Sequence, residues 1–398
     1  MIKIIHSADW HIGQRFHDYD RETEHRAFLD WLSECIKEKE VDLLLIAGDV
    51  FDNQNPSADS QRLYYSFLRD VTASNPKLQV IIIAGNHDSA SRLEAPNPLF
   101  ETMNINVKGV IRKNEDGEID YDDLIVPIKD EAYCLAVPYL RQGDYPKSKS
   151  YSEGVELLYN NLLDRAEEIA QGKPIIAMGH LYATGAELSK DDRSERVIIG
   201  SLESISTNAF SNKLAYTALG HLHRSQRLGG KDNIRYSGSP LPMSFAEVNY
   251  NHGVVYVEID NHETRVEKLD YKDTVRLVSL PKQAMPLEDV LKEIEDLEEG
   301  SIDERSPFLE IKVLLDKPEP SLRHRIEEAL LNKAYRLTSI KAIYSDSGKY
   351  ESKIENKKLE SINPMDMALD VYSKKFDGGE MPEDLQEMMR EIIENAEK

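Results

Sequence analysis

The sequence predicts an α/β fold followed by a smaller second domain, and three observations lead there. Apolar segments of strand length alternate with helix-length segments from residue 2 onward. Those strands are apolar on both faces, as strands are when helices cover the sheets. From about residue 271 the strands no longer end in polar clusters, and a compact β-α-β-α-β pattern takes over.

In chain order, IKIIHS (2–7) reads as a buried strand, and helical periodicity runs from Glu22 to about Lys39. VDLLLIAGD (41–49) is an apolar strand ending in Gly-Asp. The segment 57–73 is helical, with Ser57 as its N-cap. LQVIIIAGNHD (78–88) is the next strand. CLAVPYL (134–140), PIIAMGH (174–180), LAYTALGHLH (214–223), IRYSGS (234–239) and HGVVYVEID (252–260) follow, with a helix from about Glu153 to Gln171. The second pattern comprises TVRLVSL, PLEDVLKEIEDLEE, FLEIKVLLD, PSLRHRIEEALLNKAY and TSIKAIYS. Residues 346–361 are polar and read as a linker. Apolar positions at helical spacing then recur on both sides of DGGEMPED, at Met365, Leu369, Tyr372 and Phe376 and again at Leu385, Met388, Met389, Ile392 and Ile393.

The chain has 398 residues, enough for more than one domain, and 40% of them are apolar. Its formal net charge is −23. That argues against simple electrostatic attraction to nucleic acid, unless metal ions or a basic partner supply positive charge locally. Cys35 and Cys134 are the only cysteines, which excludes a disulfide framework or a cysteine zinc site and suggests a reducing compartment. MIKIIHSADWH enters a strand at once, without the apolar stretch of a signal peptide, and no run reaches membrane-spanning length. A soluble cytoplasmic protein is expected.

Metal-capable residues gather where strands end. Asp9 and His11 stand in DWH, Asp49 and Asp52 in GDVFD, Asn86, His87 and Asp88 in GNHD, His180 in GH, and His221 and His223 in GHLH. Loops beyond the carboxyl ends of strands in an open sheet share one crevice, so these side chains should converge. Mixed carboxylate and imidazole donors suit manganese, iron or zinc better than magnesium. They are too many for one ion, whereas two ions sharing a carboxylate would use them, clamp a phosphate and activate water. Taken singly, each piece has an ordinary structural reading: an Asp at a strand-to-turn junction, a histidine in a turn. Five such pieces in order, each after an apolar strand, form a much more specific pattern.

The pattern DxH…GDxxD…GNHD…GH…GHxH resembles the calcineurin-like metallophosphoesterase superfamily. HSADWHIGQRF, GDVFD, AGNHDS, YTALGHLHRSQ and YSGSPLPMSF are similar to its SbcD-type nuclease subunits, over essentially the whole chain. The resemblance implies a four-layer α/β/β/α sandwich (1–270) and a small α+β capping domain (271–345). The linker (346–361) and a helical segment that docks on an SbcC-type ATPase (362–398) would follow. It implies two manganese ions, one held by Asp9, His11, Asp49 and His223, the other by the shared Asp49 with Asn86, His180 and His221. His87 would face the phosphate, and Asp88 would orient His87. Asp52 is a site residue to which no role is given. The implied activity is that of a DNA nuclease in an ATP-dependent complex, an exonuclease on duplex ends and an endonuclease on single strands and hairpins. Its subunit would be a homodimer, and Leu63, Phe67, Leu99 and Phe100 are candidates for that contact. The serine/threonine protein phosphatases of the superfamily carry Arg-Gly and Glu where this chain has Asn53-Gln54 and Asp88, which disfavours that activity. A small-molecule phosphodiesterase or phosphatase and a non-catalytic metal-site scaffold are the alternatives. Outside the site, core packing accounts for Trp10, Tyr216 and YSGSP (236–240) shape the floor, and Arg15, Arg224 and Arg227 flank the ligand loops.

Overall fold

The computed structural model describes residues 1–186, 204–261 and 263–344 and, beyond these, the isolated positions Met365, Tyr372, Pro382, Leu385 and Gln386. Two compact units result, Met1–Leu315 with Glu319–Ile343, and Asp316–Pro318 with Tyr344–Lys398. The linker and most of the helical segment expected at 346–361 and 362–398 lie outside the described residues.

The first unit is built on two six-stranded sheets. One runs in the order Glu263–Asp270, Gly253–Asp260, Ile2–Ser7, Leu43–Ala47, Gln79–Ile83, Ile105–Lys108. Its four strands from Ile2–Ser7 to Ile105–Lys108 are parallel, and its other two are antiparallel additions. The other sheet runs in the order Gln226–Leu228, Lys231–Tyr236, Tyr216–Gly220, Ile175–His180, Ala132–Ala136, Ile125–Ile128.

The unbroken apolar runs of these strands now have a physical reason. Successive side chains point to opposite faces. Ile4, Leu43, Leu45, Ile81 and Ile83 meet Cys134, Ile176, Met178 and Ala218 of the other sheet in a buried middle layer. Ile5, Leu44, Ile46, Val80 and Ile82 point the other way, onto the helices Glu22–Lys39 and Ala58–Ser74 through Phe28, Leu32, Tyr64 and Phe67. The second sheet does the same with the helix Tyr151–Ala170, which contributes Val155, Leu158, Leu162 and Ala166. The result is a four-layer α/β/β/α sandwich. Ser57 accepts the Ser60 N–H as the expected N-cap of Ala58–Ser74. Trp10 is fully buried, edge-on to Phe28 and Phe67, and its indole N–H donates to Ser7 Oγ at 2.7 Å.

Residues from 277 onward form a three-stranded sheet, Leu277–Pro286, Phe308–Leu315 and Arg336–Tyr344, with the helices Leu287–Glu295 and Leu322–Ala329. They bury an apolar cluster of their own around Val290, Ile294, Ile311, Val313 and Ile326. Phe16 packs on Phe308 of this sheet with ring centroids 4.6 Å apart, and Tyr19 donates its hydroxyl to Leu337 O. Among the described residues, no helix is long and apolar enough to cross a membrane.

Candidate metal centre

The strands Ile2–Ser7, Leu43–Ala47, Gln79–Ile83, Ile175–His180 and Tyr216–Gly220 end at one edge of the sandwich, and their following loops turn sharply toward each other. Four residues of these loops adopt the left-handed region: Asp9 (φ 54°), His11 (φ 47°), Asp49 (φ 50°) and His221 (φ 98°). Such backbone costs on the order of 1–3 kcal/mol per residue and persists only where surrounding contacts impose it. Glycines permit the close approach. A Cβ on Gly85 would lie 2.1 Å from Asp49 Oδ1, and one on Gly48, itself at φ +90°, would lie 2.3 Å from His180 Nδ1.

Asp49 sits at the centre. Its Oδ2 is 3.2 Å from His180 Nε2 and 3.8 Å from His11 Nε2, and its Oδ1 accepts the His87 backbone N–H at 2.8 Å. Asn86 Oδ1 lies 3.0 Å from both His180 Nε2 and His221 Nδ1. Donor atoms of Asp49, His180 and His221 all fall within 4.8 Å of one another, as do those of Asp9, His11 and His223. The structure therefore brings all seven sequence-predicted ligand residues together in two adjoining groups, with Asp49 Oδ2 between His11 and His180.

The histidines are aimed by groups behind them. His180 Nδ1 donates to Ala47 O at 2.8 Å, which leaves Nε2 directed at Asp49. His223 Nδ1 is 3.0 Å from Glu247 Oε1. Glu247 is fully buried and its other oxygen accepts the Met243 N–H. Sequence reasoning missed Glu247, although it lies directly beyond the noted YSGSPLPMSF stretch. Ser239 of YSGSP donates its backbone N–H to the His223 carbonyl, so that stretch acts through its backbone. Tyr216 does not floor this group: its hydroxyl meets His6 Nδ1 between the sheets at 2.9 Å.

Asp52 and Asp88 differ most from expectation. Asp88 does not orient His87. It is fully buried, and its carboxylate accepts the backbone N–H groups of Val50, Phe51 and Gly85. It ties the GDVFD loop to the GNHD loop, because three inward-pointing amides capture both of its oxygens. The His87 ring is held instead by Asp52, whose backbone carbonyl lies 2.8 Å from His87 Nδ1. The Asp52 carboxylate reaches the His11 ring, with Oδ1 3.4 Å from Nδ1. Asp52 thus touches two predicted site histidines at once.

Charge follows burial and proximity. Burial alone would raise the Asp49 carboxyl, but His180, His11 and His87 around it hold it well below the carboxylate range. Burial would lower His180, yet the Asp49 carboxylate raises it to about 9. Burial, reinforced by His180, lowers His221 to about 3. Burial and then the Asp49 charge raise Asp88 to about 6, against its three amide donors.

The donor set fits divalent metal. Asp9 Oδ2 and His11 Nε2 are buried, lie in the same group, and have no hydrogen-bond partner among the described residues. Buried polar atoms normally have one, and a cation is the partner this pair of atoms is suited to. The centre opens into a cleft of about 1000 Å³ lined by His11, Asp52, His87 and His223, with Glu310, Lys312, Ser339 and Lys341 of the small sheet opposite. Arg15 lines the same cleft. Arg227 pairs with Asp232 at 3.4 Å, and Arg224 lies over the Tyr250 ring.

Comparison with known proteins agrees with this geometry. The calcineurin-like phosphoesterase family matches residues 2–225, and a family described as the type 5 capsule protein repressor C-terminal domain matches residues 273–376. The SbcD subunit of the SbcCD nuclease from Rhodobacter capsulatus is 36% identical over 358 residues, 85% of this chain and 87% of the relative. The SbcD subunit from Escherichia coli K12 is 30% identical over 342 residues, 82% and 81% of the two chains. That from Bacillus subtilis 168 is 25% identical over 413 residues, 100% and 99% of the two. A phosphoesterase match over more than half the chain, curated relatives spanning most of it and a buried Asp/His/Asn centre agree: the chain belongs to the calcineurin-like phosphoesterase family, on its SbcD-type branch, and is a metal-dependent hydrolase of phosphodiester bonds.

Proposed function

We propose that the protein is the nuclease subunit of an SbcCD-type complex and hydrolyses DNA phosphodiesters with two manganese ions. The observation that carries this is the pair of donor groups meeting at Asp49, Asp9/His11/His223 on one side and Asn86/His180/His221 on the other. In this reading Asp49 would be a ligand common to both ions. When bound, such ions would supply Lewis-acid stabilisation of the phosphate and activation of water. The chain's own residues do the rest. The Glu247 and Ala47 oxygens hold His223 and His180 in the ring orientations that present Nε2. The Asp52 carbonyl accepts a hydrogen bond from His87 Nδ1–H, which leaves Nε2 to face the phosphate or the departing oxygen.

A polymeric substrate is favoured by the far wall of the cleft. Lys312 and Lys341 stand there, both paired with Glu310, which is 2% exposed. A phosphate backbone can engage such lysines locally in spite of the net charge of −23. We assign residues 1–270 to the nuclease domain, 271–345 to the capping domain, 346–361 to a linker and 362–398 to ATPase docking. The complex would be a heterotetramer around a homodimer of this subunit, working in DNA repair, recombination and replication in the cytoplasm at the nucleoid. From Asp366 onward the tail carries ten acidic and four basic residues, so an apolar protein groove suits its helical stripe better than DNA does.

Digestion of labelled duplex, hairpin and single-stranded DNA beside a chromogenic phosphodiester tests the substrate. Manganese-dependent cutting of the DNA is expected, and activity confined to the small ester would point to the small-molecule phosphodiesterase instead. A chain lacking residues 362–398 should keep its metals and basal nuclease activity but no longer co-purify with a co-expressed SbcC-type ATPase. Undiminished co-purification would remove the docking role.

A further inference from the structure

Arg21 and Glu24 form a bidentate ion pair that is almost wholly buried, at 1% and 3% exposure. Arg21 Nε and Nη2 donate to the two Glu24 oxygens at 3.0 and 2.9 Å. Its remaining terminal nitrogen, Nη1, donates to Gln14 Oε1 and to Pro242 O, both at 2.7 Å. These acceptors belong to separate stretches of chain. Gln14 follows Asp9 and His11 by a few residues, and its own backbone N–H donates to His11 O at 2.9 Å. Pro242 precedes Met243, whose N–H donates to Glu247, the residue that holds His223. A second path leaves from the same turn. The His25 ring lies 3.0 Å from Arg21 O and 3.0 Å from Trp10 O, the carbonyl between Asp9 and His11.

Stability does not explain why an ion pair occupies this place. Removing two charges from water costs several kcal/mol per ion, and well-packed apolar residues of similar volume usually serve folding as well or better. A planar guanidinium does what an apolar side chain cannot: it ties the Glu24 carboxylate, the Gln14 side chain and the Pro242 carbonyl together at set distances and angles. We propose that the Arg21–Glu24 pair is a positioning device for one half of the metal centre, holding the Asp9–His11 turn and, through Pro242 and Glu247, the His223 ring in register. This rests on the assignment of Asp9, His11 and His223 as ligands of one ion.

Manganese binding to the full chain, followed by electron paramagnetic resonance titration, tests it. Arg21→Met with Glu24→Leu removes the pair while keeping volume. The expected result is a folded chain in which one manganese site, the one assigned to Asp9, His11 and His223, loosens about 10–100-fold, the usual effect of losing support behind metal ligands. Glu247→Gln should loosen the same site, and combining it with the double change should add little, because both act along one path. Arg21→Lys, which keeps the charge but loses the fork, should also loosen the site, and it decides the matter should the apolar pair prevent folding. Wild-type manganese affinity in folded Arg21→Lys, or full additivity with Glu247→Gln, would overturn the proposal. A wild-type chain that bound no manganese would overturn the metal-centre assignment itself, which the variants alone cannot do.

Discussion

Asp49 and His87 are adjacent in space and should fail in different ways. Asp49 Oδ2 stands between the two donor groups, so Asp49→Asn removes the charge both would share. Metal content measured by mass spectrometry should fall well below that of the wild type, and hydrolysis should be lost. His87→Ala removes no donor of either group, only a ring braced by the Asp52 carbonyl. Metal content should stay near that of the wild type while turnover falls about 10²–10⁴-fold, the range for losing one acid–base group. Metal loss in His87→Ala would mean that His87 is a ligand. Asp88→Asn separates structure from chemistry again. One oxygen of Asp88 accepts from Val50 and Gly85 and the other from Phe51. An amide would set its NH2 against an N–H already pointing inward. Denaturant unfolding should show a loss on the order of 2–4 kcal/mol, from a buried amide left unmet and a charge-assisted acceptor removed. An unchanged midpoint would show that these bonds contribute nothing.

Among the elements, the loops after strands are where small changes should cost most. Gly85→Ala places a Cβ 2.1 Å from Asp49 Oδ1 and 2.3 Å from Asp49 N. The backbone nitrogen cannot turn aside, so the GNHD loop must move away from the GDVFD loop. The expected outcome is weaker manganese binding together with a lower melting temperature, read by titration and calorimetry; wild-type values for both would contradict the packing described. These loops were legible in the sequence because largely apolar runs of strand length stop at polar donors, and in four of the five, before Asp49, Asn86, His180 and His221, a Gly directly precedes the donor. The helix Glu22–Lys39 was legible with its start at Glu22 and its end at about Lys39, since its apolar stripe and its charged ends agree. Other elements were not. Glu263–Asp270 is an edge strand whose residues are all exposed or half-buried, so it carries no apolar signal. Ile105–Lys108 has four residues, and Ile125–Ile128 contains Pro127. Glu247 and the Asp52 carbonyl escaped for a different reason. Their contacts, 24 and 35 residues away in sequence, are made by the fold, and no local pattern encodes them. Asp88 was misread because adjacency to His87 in sequence suggested contact, whereas its side chain turns to the amides of two loops.

For the whole molecule, two of the histidines buried away from the metal-binding donors, His6 and His25, set a limit on acid stability. His6 lies between the sheets, and burial lowers it to about 3. His25 lies under the Asp9–His11 turn, and burial, then the Arg21 charge, lowers it to about 4. Both titrate near 6.5 when the chain unfolds. Between these values the unfolded chain binds more protons than the folded one, so stability rises with pH there. Their contribution is complete above about pH 6.5 and is lost as pH falls toward 4, by up to about 1.4 kcal/mol per pH unit for each histidine. His180 acts in another window and with the opposite sign: raised to about 9, it contributes below pH 6.5 and fades as pH rises through 9. The acid-side slope is isolated by comparing the wild type with His25→Gln in the presence of a chelator, by urea unfolding at pH 7.5 and 5.0. Gln keeps a donor for the Trp10 carbonyl but cannot take up a proton. The wild type should lose stability over this interval by about 1–2 kcal/mol more than the variant. Equal losses would show that His25 takes up its proton in the folded chain as readily as in the unfolded one, with both ring nitrogens donating to the Arg21 and Trp10 carbonyls, and would reverse the direction assigned to it by burial.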